Sequence, residues 1–252
     1  MFIAKNSPLH RLNPLTKAIF FLSVVLVAFI APGEHTALLI FAGALLPISL
    51  WAGLWPEMLK ASLKLVLPVA AALFVVQGLF FPGGGGVIPL FGPFSLQVEG
   101  LLFAYRTTAR LLVMVAAFSL FLISTDPGNL MSELIHAGLP PAIAYVVMAS
   151  LMIVPEMSHK ATAILEAQRA RGLRTSGSLL QRTHAIFPLV APLLLGTLMI
   201  AEERAIALEA RAFNTQPHPT FWEEIADSQG QRGFRWLCLI IVIVIAGVRL
   251  WL

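Results

Sequence analysis

The sequence predicts an all-α integral membrane protein with about five transmembrane helices and a cytoplasmic subdomain of helices between the fourth and fifth spans. Hydrophobic residues make up 58% of the 252 positions and charged residues only 12%, against about 25% charged in a soluble domain. Apolar runs of near-bilayer length recur along the chain. Lipid offers no partners for open backbone groups, and the alternating pattern of a barrel is absent, so the spans are expected to be helical. The Lys and Arg residues alternate between successive connections, as the positive-inside bias requires.

Residues 15–31 form the first expected span, stopped by Pro32-Gly33. Lys5, Arg11 and Lys17 precede it, a pattern that a secretory signal would share. However, Pro8 and Pro14 interrupt the charged region and no A-x-A cleavage site follows, so a retained helix is expected. Residues 37–55, 63–81 and 101–123 are the next three spans, and 235–252 is the last, bounded by arginines and tryptophans. The stretch FPGGGGVIPLFGPFS at 81–95 is too rich in Gly and Pro for a helix. The loop after the first span has no Lys or Arg, the next connection carries Lys60 and Lys64, and the Gly-rich loop again has none. That alternation places the N-terminus in the cytoplasm and the Gly-rich loop outside.

The boundaries expected are a membrane domain over 1–125, a cytoplasmic helical subdomain over 126–234 and a final span over 235–252. The middle segment holds two more apolar runs, 139–155 and 185–201. If both crossed, Lys160, Arg169, Arg171, Arg174 and Arg182 would lie outside, against the bias of the other loops. Both runs are also short and contain or abut prolines, so they are expected to lie in or under the interface. Arg106 and Arg110 sit one turn apart on the fourth span. Snorkelling or a pairing with Glu99 accounts for them; the other reading is a polar anchor inside the bundle.

The single cysteine, Cys238, excludes an internal disulfide, a cysteine zinc site and an iron–sulfur cluster. The pI near 9.6 reflects anchoring cations on the cytoplasmic side, not a nucleic-acid partner. No G-x-x-x-x-G-K-[ST] loop is present for ATP. His136, His159 and His184 are scattered without metal-ligand spacing, so no metal, cofactor or catalytic residue is expected. Glu202 and Glu203 beside Arg204 read as local helix pairing.

In the middle segment, Asp126 or Thr125 can cap a helix whose first turn holds Pro127. After Pro155 a helical stretch runs to EAQRARGLR, with Gly172 a suitable left-handed cap. After Pro192 a second runs to EARAF. Each ends in a small residue, an arginine and another small residue: Ala170-Arg171-Gly172 and Ala210-Arg211-Ala212. Cations near a helix C-terminus complement the dipole by about 0.3–1 kcal/mol, which accounts for the charge alone. Small residues on both sides also suit a protruding tip that enters a groove, where the arginine offers a five-donor fork. Both readings stand on the residues alone.

The chain resembles the transmembrane T component of energy-coupling factor (ECF) transporters, the CbiQ/EcfT family. That family carries two Ala-Arg-Gly-type motifs at the ends of cytoplasmic coupling helices. Ala170-Arg171-Gly172 matches the first, and Ala210-Arg211-Ala212 matches the second except for Ala212 in place of glycine. SPLHRLNPLTK at 7–17 is similar to the family's N-terminal segment, and STDP with LPPAIAYVVMASLMIVPEM to its run into the coupling helices. The resemblance covers essentially the whole chain. It implies a multi-pass protein of a bacterial or archaeal cell membrane and not an enzyme. Two cytoplasmic ABC-type ATPases would dock on the arginine tips. A membrane S component would capture the cargo, so that choice among cobalt, nickel, biotin, thiamine or another vitamin lies there. The rivals are a conventional ABC permease that binds substrate itself and a membrane enzyme acting on lipid phosphates through Arg169, Arg171, Arg174 and Arg211. The first lacks a polar site among the spans beyond Arg106 and Arg110, and the second lacks a nucleophile.

Overall fold

The computed structural model describes residues 9, 12–31, 33–82, 86–91, 94–173, 187–213 and 227–251. Lys5, Arg11, Arg174, Arg182 and His184, singled out above, lie outside them. The chain divides into two compact units, one of Met1–Glu133 with Ile225–Leu252 and one of Leu134–Glu224.

In the first unit, α1 (Pro14–Ile30) starts at an Asn13 cap, whose Oδ1 accepts from the Leu15 N–H at 2.9 Å, with Pro14 at the first helical position. The expected second span, 37–55, is shorter and interrupted. It consists of α2 (Thr36–Ile40), a π-helical turn over Phe41–Leu45 and α3 (Leu46–Trp51). Pro47 near the start of α3 has no N–H to give to the preceding turn, which accounts for the register change there. A turn at Ala52-Gly53 ends α3, with Gly53 at φ +66°. The third span begins two turns before its expected start, as α4 (Trp55–Phe80), so Lys60 and Lys64 are helical and not in a connection.

The Gly-rich stretch forms an antiparallel hairpin of β1 (Val87–Phe91) and β2 (Phe94–Gln97), with Val87 opposite Gln97 and a bulge between Pro89 and Phe91. Next comes α5 (Val98–Ser124). It packs against α4 so closely that a Cβ on Gly100 would lie 1.9 Å from the Gln77 carbonyl oxygen. Its small residues Ala104, Ala109, Ala116 and Ala117 are all buried, the composition that lets helices approach where lipid removes the hydrophobic drive. The core joins Ala109, Ala116 and Ala117 to Phe21, Val24, Leu45, Leu54, Met58 and Leu120.

Asp126 starts α6 (Pro127–His136), its Oδ2 accepting from the Asn129 N–H at 3.2 Å. After the second unit comes α9 (Gln229–Trp251). It runs parallel to α1: Gln231 meets Asn13, Phe234 meets Phe20, and Arg249 reaches the Phe29 carbonyl. By contrast, α1 and α5 are antiparallel, since Lys17 meets Ser124 and Phe21 meets Phe121.

Arg106 pairs with Glu34 in the connection after α1. The expected partner Glu99 lies about two turns from Arg106 on the same helix, beyond the three- or four-residue reach of helical pairs.

The second unit holds α7 (Pro141–Ala170) and α8 (Phe187–Ala210). The helical stretches are expected to start after Pro155 and after Pro192; instead both prolines lie inside continuous helices that begin before them. Each proline removes one internal hydrogen bond, but the turns on both sides keep the helix continuous. Among the described residues, four helices are long and apolar enough to cross a membrane: α4, α5, α7 and α9; α1 and the α2–α3 stretch are shorter apolar helices. Large apolar side chains such as Val154, Leu198 and Trp251 are exposed. The result is an all-α membrane protein.

Candidate docking site

The two basic motifs are built by the same local device. At the end of α7, Arg171 N–H donates to Ala167, Gly172 N–H to Arg169 and Leu173 N–H to Gln168. At the end of α8, Arg211 N–H donates to Ala207, Ala212 N–H to Glu209 and Phe213 N–H to Leu208. The last two bonds of each set form a Schellman motif, which satisfies the orphan carbonyls of a helix end. Such a motif needs a left-handed residue after the cap. Gly172 has φ +94° and Ala212 φ +55°, the one non-glycine with positive φ among the described residues. Helices α3 and α6 close the same way on Gly53 and Gly138.

The Schellman turn leaves Ala170, Arg171 and Gly172 exposed, and likewise Ala210, Arg211 and Ala212. Nothing lies within 4 Å of where a Gly172 Cβ would be. The residue that follows each tip, Leu173 or Phe213, turns back and is half-buried. The Phe213 ring packs on Tyr145 at 5.6 Å between centroids.

The two tips are not brought together. Tyr145 on α7 meets Phe213, whereas Glu156 on α7 meets Arg204. Positions rise along one helix as they fall along the other, so the rods are antiparallel. Arg171 lies fifteen residues beyond Glu156 and Arg211 seven beyond Arg204. At 1.5 Å per residue this puts the two arginines roughly 30 Å apart, about the diameter of a small domain.

Glu156 was not legible as a contact residue. One of its oxygens accepts from Arg204 at 3.0 Å across the rods, and the other from Lys160 at 3.1 Å along α7. The i, i+4 spacing to Lys160 is visible in the sequence; the Arg204 partner, forty-eight residues away, is not. Among the described residues no group of three or more His, Cys, Asp or Glu could hold a metal ion.

A family model described as "CbiQ: Cobalt transport protein" matches residues 5–220. The energy-coupling factor transporter transmembrane protein EcfT of Limosilactobacillus fermentum is 29% identical over 242 residues, covering 89% of this chain and 86% of its own. The EcfT of Heliobacterium modesticaldum is 32% identical over 222 residues, covering 84% and 82%. An ABC transporter ATP-binding protein of Bifidobacterium longum is 29% identical over 229 residues, covering 87% of this chain but only 29% of that longer protein. The chain belongs to the CbiQ/EcfT family of energy-coupling factor transporter transmembrane proteins.

Proposed function

We propose that this T component transmits force from two cytoplasmic ABC-type ATPases, docked on the Arg171 and Arg211 tips, to a membrane S component that carries a vitamin or a transition-metal ion. The observation that carries the reading is the matched pair of Schellman-closed helix ends. Each leaves one arginine exposed between small neighbours at the end of an antiparallel rod. A separation of roughly 30 Å suits two separate subunits better than one socket. A guanidinium at such a tip can enter a groove and use several donors at once. Complementing the helix dipole would need neither the small neighbours nor the repetition.

The similarity to EcfT proteins and to a protein named for ATP binding supports ATPase partners. We further propose a five-span arrangement with a cytoplasmic N-terminus in a bacterial or archaeal cell membrane, and coupling helices within 126–234.

The test is co-purification of the complex from its native host, followed by ATPase and uptake assays in vesicles. Losing a desolvated charge contact costs about 2–5 kcal/mol. The Arg171→Ala/Arg211→Ala variant is therefore expected to bind its ATPases more than about tenfold more weakly, or to hydrolyse ATP without uptake. A double variant that assembles and transports like the wild type refutes the docking role.

A further inference from the structure

Three residues of the N-terminal segment HRLNPLTK do work that capping α1 does not require. Asn13 is fully buried and caps α1 with its side chain, while its own N–H donates to Gln231 Oε1 at 3.1 Å. Thr16 Oγ1 lies 3.5 Å from the same oxygen. Lys17, only 3% exposed, donates from Nζ to the Ser124 carbonyl at 2.8 Å. Ser124 is the last residue of α5, so its carbonyl is one of the orphans at that helix end, and a cation there complements the dipole.

Gln231 is drawn from its ordinary task. Ser228 and Gln231 have the spacing of a capping box at the start of α9, and its first half is made: the Gln231 N–H donates to Ser228 Oγ at 3.3 Å. In a complete box the glutamine side chain would return to the Ser228 N–H. Here its oxygen faces Asn13 and Thr16 on α1 instead. Burying an ammonium and diverting a capping residue both carry a cost. Both serve one end: the chain leaves α5 at Ser124 and re-enters α9 at Gln231 against residues of α1 that are one helical turn apart.

We infer that the first turn of α1 is a fixed fulcrum of energy coupling, with Lys17 and Gln231 as its positioning residues. The inference rests on the force-transmitting role proposed above. Residues 125–230 carry both arginine tips, and the chain joins them to the membrane helices at the end of α5 and the start of α9. If those ends could slide on α1, a stroke at the tips would be absorbed by the two connections. Holding both against one turn makes the stroke move α1, α5 and α9 together.

The test uses the whole complex in vesicles, with its cargo chosen from radiolabelled biotin, thiamine and cobalt(II) by wild-type uptake. The readout is cargo moved per ATP hydrolysed. Lys17→Met removes the donor and keeps the stem, Lys17→Arg keeps a donor, and Gln231→Leu removes the acceptor of the Asn13 N–H at a half-buried position. Single residues in coupling networks shift coupling by about twofold to thirtyfold. Lys17→Met and Gln231→Leu are expected to lower cargo per ATP within that range, with Lys17→Arg closer to wild type. In a Cys238→Ala background, Thr16→Cys with Gln231→Cys supplies the converse. The free thiols should couple poorly, and a reducible bis-methanethiosulfonate bridge should restore coupling. Unchanged cargo per ATP in both Lys17→Met and Gln231→Leu overturns the fulcrum, as does a bridge that stops uptake. If the wild-type chain brings down no ATPase, the energy-coupling reading itself fails, a result separate from either of these.

Discussion

Ala212 carries a conformational burden that Gly172 does not. Both hold the left-handed position of a Schellman turn, but alanine at φ +55° places its Cβ against backbone. Ala212→Gly should tighten the α8 end by about 0.5–1 kcal/mol after the extra freedom of glycine in the unfolded chain is counted. Gly172→Ala should loosen the α7 end by about 0.5–1 kcal/mol by the same balance, although there is open space for the methyl group. Hydrogen exchange at the Phe213 and Leu173 amides, each the outer bond of its turn, reads both changes. Equal exchange in variants and parent would mean that the turn does not limit opening. Arg106 makes a related point. Its charge was legible, but its partner Glu34 sits seventy-two residues away, and only the packing of α5 against the α1–α2 connection brings them together.

Among the elements, the α4–α5 hairpin depends on one missing side chain. Gly100→Val would push a branched side chain into the Gln77 carbonyl, where even a Cβ has no room. Overpacking of this kind costs about 1–3 kcal/mol, and the forced separation of two backbones puts this site at the upper end. A thermal midpoint in detergent equal to the parent's would show that the helices are free to part. Entry into α9 is pinned by charge, since Asp227 accepts from Arg232 at 2.9 Å and also pairs with Arg235. Partial burial alone would raise its carboxyl pKa; the Arg232 bond and the Arg235 charge outweigh that and hold it below the ordinary 3.8. A depressed carboxyl stabilises the fold above its unfolded pKa and loses that contribution as pH falls through the folded one. Protection at the start of α9 should therefore stay level near neutrality and fall only below about pH 4. Asp227→Asn should remove that step, and a step that persists in this variant would assign it to another group. At the far end, Arg249 donates to the Phe29 and Ile30 carbonyls and closes α1, which has no basic residue in its own last turn.

At the scale of the molecule, the directions of α1, α5 and α9 constrain how often the chain can cross. Because α1 and α9 are parallel and α1 and α5 antiparallel, the end of α5 and the start of α9 lie at the same end of the first unit. The chain between them must cross an even number of times. Helix α7 is long and apolar enough to cross, but α8 is not among the helices that meet that description, so one crossing by α7 alone is excluded by parity. No crossing, the arrangement proposed above, satisfies it with five spans. Cysteines at Ser228 and Leu173 should then label from the same face of the membrane and one at Glu34 from the opposite face, in a Cys238→Ala background. Labelling of Leu173 from the Glu34 side would exclude the five-span arrangement.

The sequence by itself determined the solvent and the element type. With 58% hydrophobic residues, few charges and no alternating barrel pattern, helices are what satisfies the backbone in lipid. It also showed the two tips, because a helix end is a local event: a small residue, an arginine and a left-handed position fall within three letters. Tertiary structure decided what lies far apart in the chain. It carried α7 through Pro155, placed Glu34 on Arg106 and Arg204 on Glu156, and brought Ser124 and Gln231 to one turn of α1. Apolar stripes specify that helices will pack but are nearly degenerate in partner and direction, since lipid is as apolar as leucine. The choice therefore fell to a few close approaches and buried polar bonds, whose two halves no local pattern connects.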